Sequence, residues 1–169
     1  TEIAARSRPD QILALLNQLF ASFDNLTAHY GLEKIKTIGD SYMVAGGVPD
    51  DGGNYPSAMA DLALAMRRAA TAVHDPDGQP LHLRIGIHVG SLTAGGIGQR
   101  RFMYDLWGDT VNTASRMQTL GEPDRIQVSD DLRQRLDNRY NLAPRGEITV
   151  KGKGEMTTWY LLDGKEESL

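Results

Sequence analysis

This sequence has no cysteine, no long apolar run and no excess of basic residues. None of its 169 residues is cysteine, so disulfide bonds and thiolate metal sites are excluded. Its 18 Lys and Arg residues are outnumbered by 22 Asp and Glu residues, and the net charge of −4 argues against a surface that neutralises nucleic-acid phosphates. No apolar stretch approaches the roughly 20 residues of a transmembrane helix. We therefore expect no nucleic-acid partner and no direct membrane contact by this segment.

Two common site motifs are also missing. The four histidines lack the spacing of a zinc site, and no Gly-x-x-x-x-Gly-Lys-Ser/Thr phosphate loop occurs. What is present is an ordinary globular composition, with 40% hydrophobic and 24% charged residues. A chain of this length and composition predicts a single domain, spanning residues 1–169, with a sizeable core.

Hydrophobic periodicity predicts alternating helices and strands. In chain order the predicted segments are helix 12–30, strands 34–38 and 42–45 around a Gly-Asp-Ser turn, helix 59–73, strand 81–97 pairing with strand 102–106, a helix ending near 121, strand 126–128, a small helix capped by Ser129, and a hairpin of 148–150 with 159–162. This order predicts an α+β fold whose mostly antiparallel sheet has helices on one face.

The stretch 101–116 contains the clearest candidate site. It reads as a strand that breaks at Gly108 and continues as a helix, which Asp109 is expected to cap. On that helix Asn112 and Arg116 are four residues apart and therefore lie on one face. An amide and a guanidinium near a helix N-terminus suit an anionic ligand. The pattern predicts a site for a phosphorylated molecule.

Three other polar residues each have a structural and a functional interpretation. Asp40, at the turn of the first hairpin, is a common turn former, but its carboxylate also suits Mg²⁺ or Mn²⁺. Lys36 lies with Lys34 on the polar side of the same hairpin, where a solvated lysine is the ordinary explanation. Arg84, on the polar face of its strand, is equally ambiguous.

Asp105 and Lys151 are the remaining candidates. Asp105 stands between Tyr104 and Leu106 in an otherwise apolar strand, where a carboxylate needs a partner. The Lys-Gly-Lys-Gly segment that begins at Lys151 is either a flexible surface turn or a loop that reaches a phosphate, with glycine giving backbone freedom and lysine a point charge.

Four segments together resemble the successive motifs of class III adenylyl and guanylyl cyclase catalytic domains. They are residues 34–43, 83–90, 104–116 and 150–154, which follow one another at family-like spacings over nearly the whole chain. Four linked motifs are far more specific than any one of them. The fold class is accordingly expected to be α+β, with a ferredoxin-like (βαββαβ-type), mostly antiparallel sheet and helices packed on it.

The resemblance implies a reaction and a role for each candidate. The ribose 3′-oxygen of ATP attacks the α-phosphate in line and releases pyrophosphate, giving 3′,5′-cyclic AMP with two Mg²⁺ or Mn²⁺ ions per site. The implied roles are metal binding for Asp40, a phosphate-side contact for Arg84, ribose orientation for Asn112, stabilisation of developing charge for Arg116, and a hold on the triphosphate end for Lys151.

Lys36 and Asp105 fall at the family's purine-reading positions. A lysine donates to adenine N1 and an aspartate accepts from the 6-amino group, whereas guanine presents an N1–H donor and an O6 acceptor there. Each buried group left unpaired costs roughly 1–3 kcal/mol, so the two mismatches together favour ATP by about a hundredfold or more. The resemblance is therefore closest to an adenylyl cyclase.

In this family the site lies between two catalytic domains. One domain contributes the metal aspartates and the phosphate-side arginine, and the other contributes the base-reading pair, the asparagine, the second arginine and the lysine. This chain contains residues of both sets. A symmetric homodimer with two equivalent sites is the expected assembly.

The sequence departs from the family's pattern at its amino terminus. The family's first metal aspartate belongs to an opening Phe-x-Asp-Ile-x-Gly-Phe-Thr strand, of which Thr1 resembles the last residue. We expect an N-terminally incomplete domain that cycles ATP weakly or not at all, because Asp40 alone holds two cations poorly. We also expect a cytoplasmic catalytic domain, whose parent protein can still be membrane-anchored.

Two alternatives to an adenylyl cyclase stay open. One is a non-catalytic cyclase-like module that binds nucleotide or only dimerises. The other is a guanylyl cyclase, which Lys36 and Asp105 disfavour.

Overall fold

The computed structural model describes residues 7–48, 52–91, 93–96 and 104–164, and for 93–96 and 104–107 it describes the backbone. These residues form four helices and eight strands. The helices are α1 (Pro9–His29), α2 (Tyr55–Thr71), α3 (Asp109–Thr119) and α4 (Asp130–Arg133). The strands are β1 (Glu33–Ile38), β2 (Ser41–Ala45), β3 (Arg84–Ile87), β4 (Thr93–Gly96), β5 (Tyr104–Trp107), β6 (Arg125–Ser129), β7 (Tyr140–Val150) and β8 (Gly154–Gly164).

The main sheet has four strands in the order β3-β6-β8-β7. β8 is antiparallel to both β6 and β7, whereas β3 and β6 are parallel. Two antiparallel pairs, β1 with β2 and β4 with β5, complete the strands. The predicted α+β class with mainly antiparallel pairing is confirmed.

The predicted single strand 81–97 is wrong, because this segment contains two strands. Its predicted pairing with 102–106 is confirmed for the second of them, since β4 pairs with β5, whereas β3 ends at Ile87 and pairs with β6. The parallel pairing of β3 with β6 needs a crossover connection, and α3 lies on that connection. The last hairpin is also longer than predicted, with 11 residues in each strand.

The first hairpin and the long helix before it follow the prediction closely. Helix α1 packs against β1, β2 and α2 through a buried cluster that includes Leu19, Phe23, Leu32 and Leu62. At the surface, the Tyr42 hydroxyl donates to the Asp24 carboxylate over 2.5 Å, and Lys34 Nζ lies 3.0 Å from the same carboxylate.

No helix among the described residues is long and apolar enough to cross a membrane.

Helices lie on both faces of the main sheet, so the prediction that helices pack on only one face is wrong. Ile126 and Val128 are fully buried against the small residues Ala60 and Ala63 of α2. Between them Gln127 points to the opposite face, as strand alternation requires. On that face a Cβ at Gly86 would lie 2.6 Å from the carbonyl carbon of Met117 in α3.

Gly86 sets the contact between α3 and the sheet. A Cβ there would also lie 2.7 Å from the Ala114 carbonyl oxygen and would overlap the amide nitrogen of Gln118. These are backbone atoms, which cannot rotate away. Glycine therefore allows the helix axis to approach the strand more closely than any other residue would.

We predict that Gly86→Ala lowers the free energy of unfolding by about 3 kcal/mol, because an added methyl group must push α3 off the sheet. Urea unfolding monitored by circular dichroism measures this value. Gly78→Ala is the comparison: it lies in a turn where a Cβ would meet nothing within 4 Å. Its positive φ alone should cost about 1–2 kcal/mol. Equal losses in both variants would contradict the close-approach argument.

Candidate active site around helix α3

Helix α3 begins at Asp109, so its N-cap residue is Gly108 and not Asp109. Gly108 is the N-cap residue and makes no side-chain cap, so the predicted cap at Asp109 is wrong. Asp109 is instead the first helical residue, where an acidic side chain is favoured by the helix dipole. Its carboxylate Oδ2 lies 2.7 Å from Lys153 Nζ.

The inner face of α3 is fixed by three buried residues. The Thr110 hydroxyl donates to the Ser91 carbonyl oxygen, the Thr113 hydroxyl donates to the Asp109 carbonyl oxygen over 2.8 Å, and Met117 is fully buried. These contacts leave Asn112 and Arg116 exposed and one turn apart on an outer face. Neither side chain makes a hydrogen bond or ion pair with another described residue. An amide and a guanidinium are thus available there to a ligand.

A β-bulge in strand β1 separates Lys34 from Lys36. The register shifts between them, so that Lys34 lies opposite Val44 and Lys36 lies opposite Met43. Because neighbouring residues of β2 point to opposite faces, the two lysines do as well. The sequence-based view that both lie on one polar side is therefore wrong.

The bulge places Lys36 on the face of the hairpin that meets α3. Met43 and Ile35, on this face, pack with Val111 of α3 against Ala45 and Val48. Lys34 instead ion-pairs with α1 and lies 5.1 Å above the ring of Tyr42. Lys36 is half-buried, unlike the exposed Lys34.

Strand β5 brings the backbone of Asp105 to the same region. Asp105 pairs with Gly95 across the β4–β5 ladder, and β5 contacts both β1 and α3. The strands that carry Lys36 and Asp105 are thus neighbours, next to the helix that carries Asn112 and Arg116. The Asp105 side chain lies outside the described residues, so the predicted need of its carboxylate for a partner stays a prediction.

The β7–β8 loop is the third element against α3. Val150 and Ile148 at the end of β7 are buried against Met117 together with Met156 of β8. The loop is a tight turn in which the Lys153 amide donates to the Val150 carbonyl oxygen over 3.0 Å. Gly152 and Gly154 have φ of +85° and +80°, which favour glycine at both positions. Lys151 is exposed at the start of this turn.

Asp40 and Arg84 lie apart from these residues. Asp40 is exposed in the two-residue turn between β1 and β2. Arg84 is exposed at the start of β3, beside Arg125 of β6 in the parallel register. Among the described residues, neither side chain makes a hydrogen bond or ion pair with another candidate residue.

Arg84 lies beyond the C-terminal end of α3. Thr110 lies beside Gly90 and Gln118 beside Gly86, so α3 runs antiparallel to β3. The rise from Thr110 to Gln118 is about 12 Å, and Arg84 lies two strand residues, about 7 Å, beyond Gly86. Arg84 therefore lies beyond the C-terminal end of α3, whereas the β7–β8 hairpin contacts the helix both at Met117, through Val150, and at Asp109, through Lys153.

Asp40 offers a single carboxylate for a cation. Its donor chemistry fits a hard ion such as Mg²⁺, which uses one or two carboxylates together with the phosphates of a nucleotide. Within the described ranges, no three His, Asp or Glu side chains are grouped so that they could hold a metal ion on their own.

Among the described side chains, the candidate residues border no closed pocket. A cavity of about 600 Å³ among the described residues lies elsewhere, at the end of α2 and the start of β6. It is lined by Arg67, Arg68, Thr71, Pro123, Asp124 and Arg125. None of the candidate residues borders it, and Asn112, Arg116 and Lys151 are exposed with respect to the part of the chain that the structure describes.

His88 is a residue of this region that the sequence did not single out. Its Nδ1 lies 2.7 Å from the Ser129 hydroxyl oxygen, which also accepts from the Leu132 amide as the predicted cap of α4. Burial lowers the pKa of His88, and the nearby Lys153 ammonium lowers it further, against the opposite influence of Asp131 and Asp109. The His-Val-Gly sequence after β3 carried no signal of this contact.

The family assignment rests on a match over nearly the whole chain. The family model of the adenylate and guanylate cyclase catalytic domain matches residues 1–163. The chain belongs to this family. The resemblance inferred from the four motifs is thereby confirmed, and so is the assignment of the chain as a cyclase catalytic domain.

Adenylate and guanylate cyclases are both among its relatives. An adenylate cyclase of Mycobacterium tuberculosis (strain ATCC 25618 / H37Rv) is 47% identical over 165 residues, which cover 98% of this chain and 37% of that protein. The human guanylate cyclase soluble subunit beta-2 is 44% identical over 164 residues, which cover 96% of this chain and 27% of that protein. The chain thus spans well under half the length of these relatives.

The fold matches that of a solved cyclase domain. The guanylate cyclase domain of RhGC from Catenaria anguillulae, crystallised with GTP, is 31% identical to this chain with a TM-score of 0.87. The match covers 96% of this chain and 90% of that one.

We predict that acid destabilises the wild-type domain more than a His88→Gln variant. The lowered pKa of folded His88 means that the unfolded chain, with a His pKa near 6.5, takes up more protons as the pH falls. The stability that neutral His88 contributes is fully present above a pH of about 6.5, and it is lost as the pH falls through the lowered pKa of His88 in the folded protein. Unfolding free energies at pH 7.5 and 5.5 measure the difference. His29→Gln, at an exposed position of α1, is the control and should retain the wild-type pH dependence.

Proposed function

We propose that the domain is an adenylyl cyclase that forms 3′,5′-cyclic AMP and pyrophosphate from ATP. In this reaction the ribose 3′-oxygen forms a bond to the α-phosphorus, and the bond from that phosphorus to the pyrophosphate oxygen breaks. The observation that carries the choice of ATP is the β1 bulge, which turns Lys36 onto the face shared with α3 and beside strand β5. Family membership alone leaves ATP and GTP both open.

Base selection follows from the hydrogen-bonding groups at Lys36 and Asp105. An ammonium can only donate and an ionised carboxylate can only accept, which suits adenine N1 and its 6-amino group. Guanine reverses donor and acceptor at both positions. The 44% identity to a guanylate cyclase subunit makes guanylyl cyclase the second candidate, which these two side chains oppose.

The phosphate and ribose contacts are assigned to the exposed outer face of α3 and to the β7–β8 loop. Asn112 orients the ribose and Arg116 stabilises the charge that develops at the phosphates. Lys151 holds the triphosphate end as a point charge. All three side chains are exposed in a single chain, so a bound nucleotide can reach them without displacing a described contact.

A second copy of the chain completes the site in this proposal. Arg84 lies beyond the C-terminal end of α3, yet it too is assigned to a phosphate. In a symmetric pair, Arg84 and Asp40 of one copy would meet the α3 face of the other, which gives two equivalent sites. The exposed side chains of Asn112 and Arg116 fit this arrangement.

Divalent cations are assigned to Asp40 and the nucleotide phosphates. When bound, Mg²⁺ or Mn²⁺ neutralises phosphate charge and polarises the reacting oxygens. The protein's own part is to present the Asp40 carboxylate at the exposed hairpin turn. The proposal of two ions per site requires carboxylates beyond Asp40.

We predict that Lys36→Met reduces the preference for ATP over GTP by at least about tenfold, because the donor to adenine N1 is removed and guanine no longer faces a mismatched ammonium. The matched control is Lys34→Met, two residues away on the opposite face of the hairpin. It should keep the wild-type preference. Cyclic AMP and cyclic GMP formed in Mn²⁺ measure both ratios, and an equal effect of the two substitutions would refute the assignment of Lys36.

We predict that two inactive variants regain activity when mixed. Asp40→Asn and Asn112→Ala each disable both sites of a homodimer, but random pairing makes half of the dimers mixed, with one intact site each. About a quarter of wild-type activity should therefore return. Mixing Asp40→Asn with Arg84→Ala, two residues assigned to the same half-site, should restore nothing. Sites contained within single chains would show no recovery in either mixture.

These assays are run on this chain and on a form lengthened at its amino terminus by a strand with the family's metal aspartate. Cyclic AMP from either form supports the proposal. If neither form produces a cyclic nucleotide from ATP or GTP, the enzyme proposal is rejected. The domain is then a nucleotide-binding or dimerisation module, which nucleotide titration and sedimentation distinguish.

A further inference from the structure

The ion pair between Lys153 and Asp109 joins two elements to which the proposed function assigns substrate contacts. Lys153 Nζ lies 2.7 Å from Asp109 Oδ2, and 29% of the Lys153 side chain is exposed. The Asp109 side chain is 68% exposed, so the ion pair lies at the protein surface. A surface pair stabilises the fold only modestly and acts mainly through the position in which it holds the two side chains.

Among the described residues, the pair is one of two attachments of the β7–β8 hairpin to α3. The other is the apolar contact of Ile148, Val150 and Met156 with Met117. Eight residues separate Asp109 from Met117, or about 12 Å of helix. The hairpin is therefore held at both ends of the two helical turns that carry Asn112 and Arg116.

The turn between β7 and β8 links the position of Lys153 to that of Lys151. Lys153 is two residues from Lys151, and its amide hydrogen bond to the Val150 carbonyl oxygen closes the turn that contains both. With φ positive at Gly152 and Gly154, the turn adopts a defined path between the two strands. Fixing Lys153 therefore restricts where the Lys151 ammonium can go.

We infer that Lys153 and Asp109 are positioning residues, which hold Lys151 at the distance from Asn112 and Arg116 that a nucleotide triphosphate requires. This inference rests on the proposed function, in which Lys151 contacts the triphosphate. Lys153 and Asp109 act through the loop and make no contact with the nucleotide. Without the ion pair, the loop must be ordered when ATP binds, which weakens binding but leaves the reacting groups unchanged.

Steady-state kinetics test the inference through the division between KM and kcat. Asp109→Asn and Lys153→Met should each raise KM for ATP about two- to fivefold, the range for a partly exposed ion pair, with kcat within about twofold of wild type. The double variant should be no worse than the more impaired single variant, because both changes remove one interaction. Asp109→Glu and Lys153→Arg keep the charges and should retain a KM close to wild type.

A direct contact of Lys153 with ATP would give a different pattern. Lys153→Met would then raise KM while Asp109→Asn left it unchanged or lowered it, and the effects of the two changes would multiply in the double variant. That result overturns the inference. The matched control is Arg139→Met, which breaks a similar exposed ion pair to Asp137 at 2.9 Å near the far end of β7. It should alter neither KM nor kcat.

Amide hydrogen exchange of residues 150–154, without nucleotide, provides a second readout that does not depend on activity. Asp109→Asn and Lys153→Met should speed exchange in this loop several-fold, and Arg139→Met should not. Unchanged exchange overturns the inference whatever the kinetics show. Faster exchange in a protein that makes no cyclic nucleotide would retain the attachment of the loop and reject only the proposed enzyme function.

Discussion

The backbone of helix α3 lies directly on the backbone of strand β3, because residue 86 has no side chain. This contact determines the depth at which α3 packs and therefore the position of its outer face, with Asn112 and Arg116. The other elements of the candidate site are arranged around the same helix. The β1–β2 hairpin meets it at Val111, the β7–β8 hairpin meets it at Met117 and Asp109, and β5 leads into it.

The arrangement explains how a small domain presents several polar groups around one helix, with no closed pocket around them among the described residues. Each group stands on a hairpin or helix whose apolar side is anchored elsewhere, so the packing energy comes from buried clusters and the polar side chains stay exposed. The consequence is an open, polar surface on a rigid support. Such a surface suits a site that a second copy closes.

Local periodicity was sufficient for the elements whose partners are nearby in sequence. The apolar spacing of α1, the first hairpin and the Ser129 cap were predicted because each depends on a few neighbouring residues. The parallel pairing of β3 with β6 and the separate strand β4 were missed, since distant segments decide those pairings. The pair of Lys153 with Asp109 was missed for the same reason. The four motifs were nevertheless specific enough to give the family.

The bulge at Ile35 breaks the usual relation between residue spacing and strand face. Side chains in a regular strand alternate with a period of two, so residues 34 and 36 would share a face without the bulge. With it, Lys34 lies opposite Val44 and Lys36 lies opposite Met43. Two identical side chains at a spacing that normally places them together therefore stand in different surroundings, one beside α1 and one beside α3, and a comparison of residue types and spacing alone would not reveal which is which.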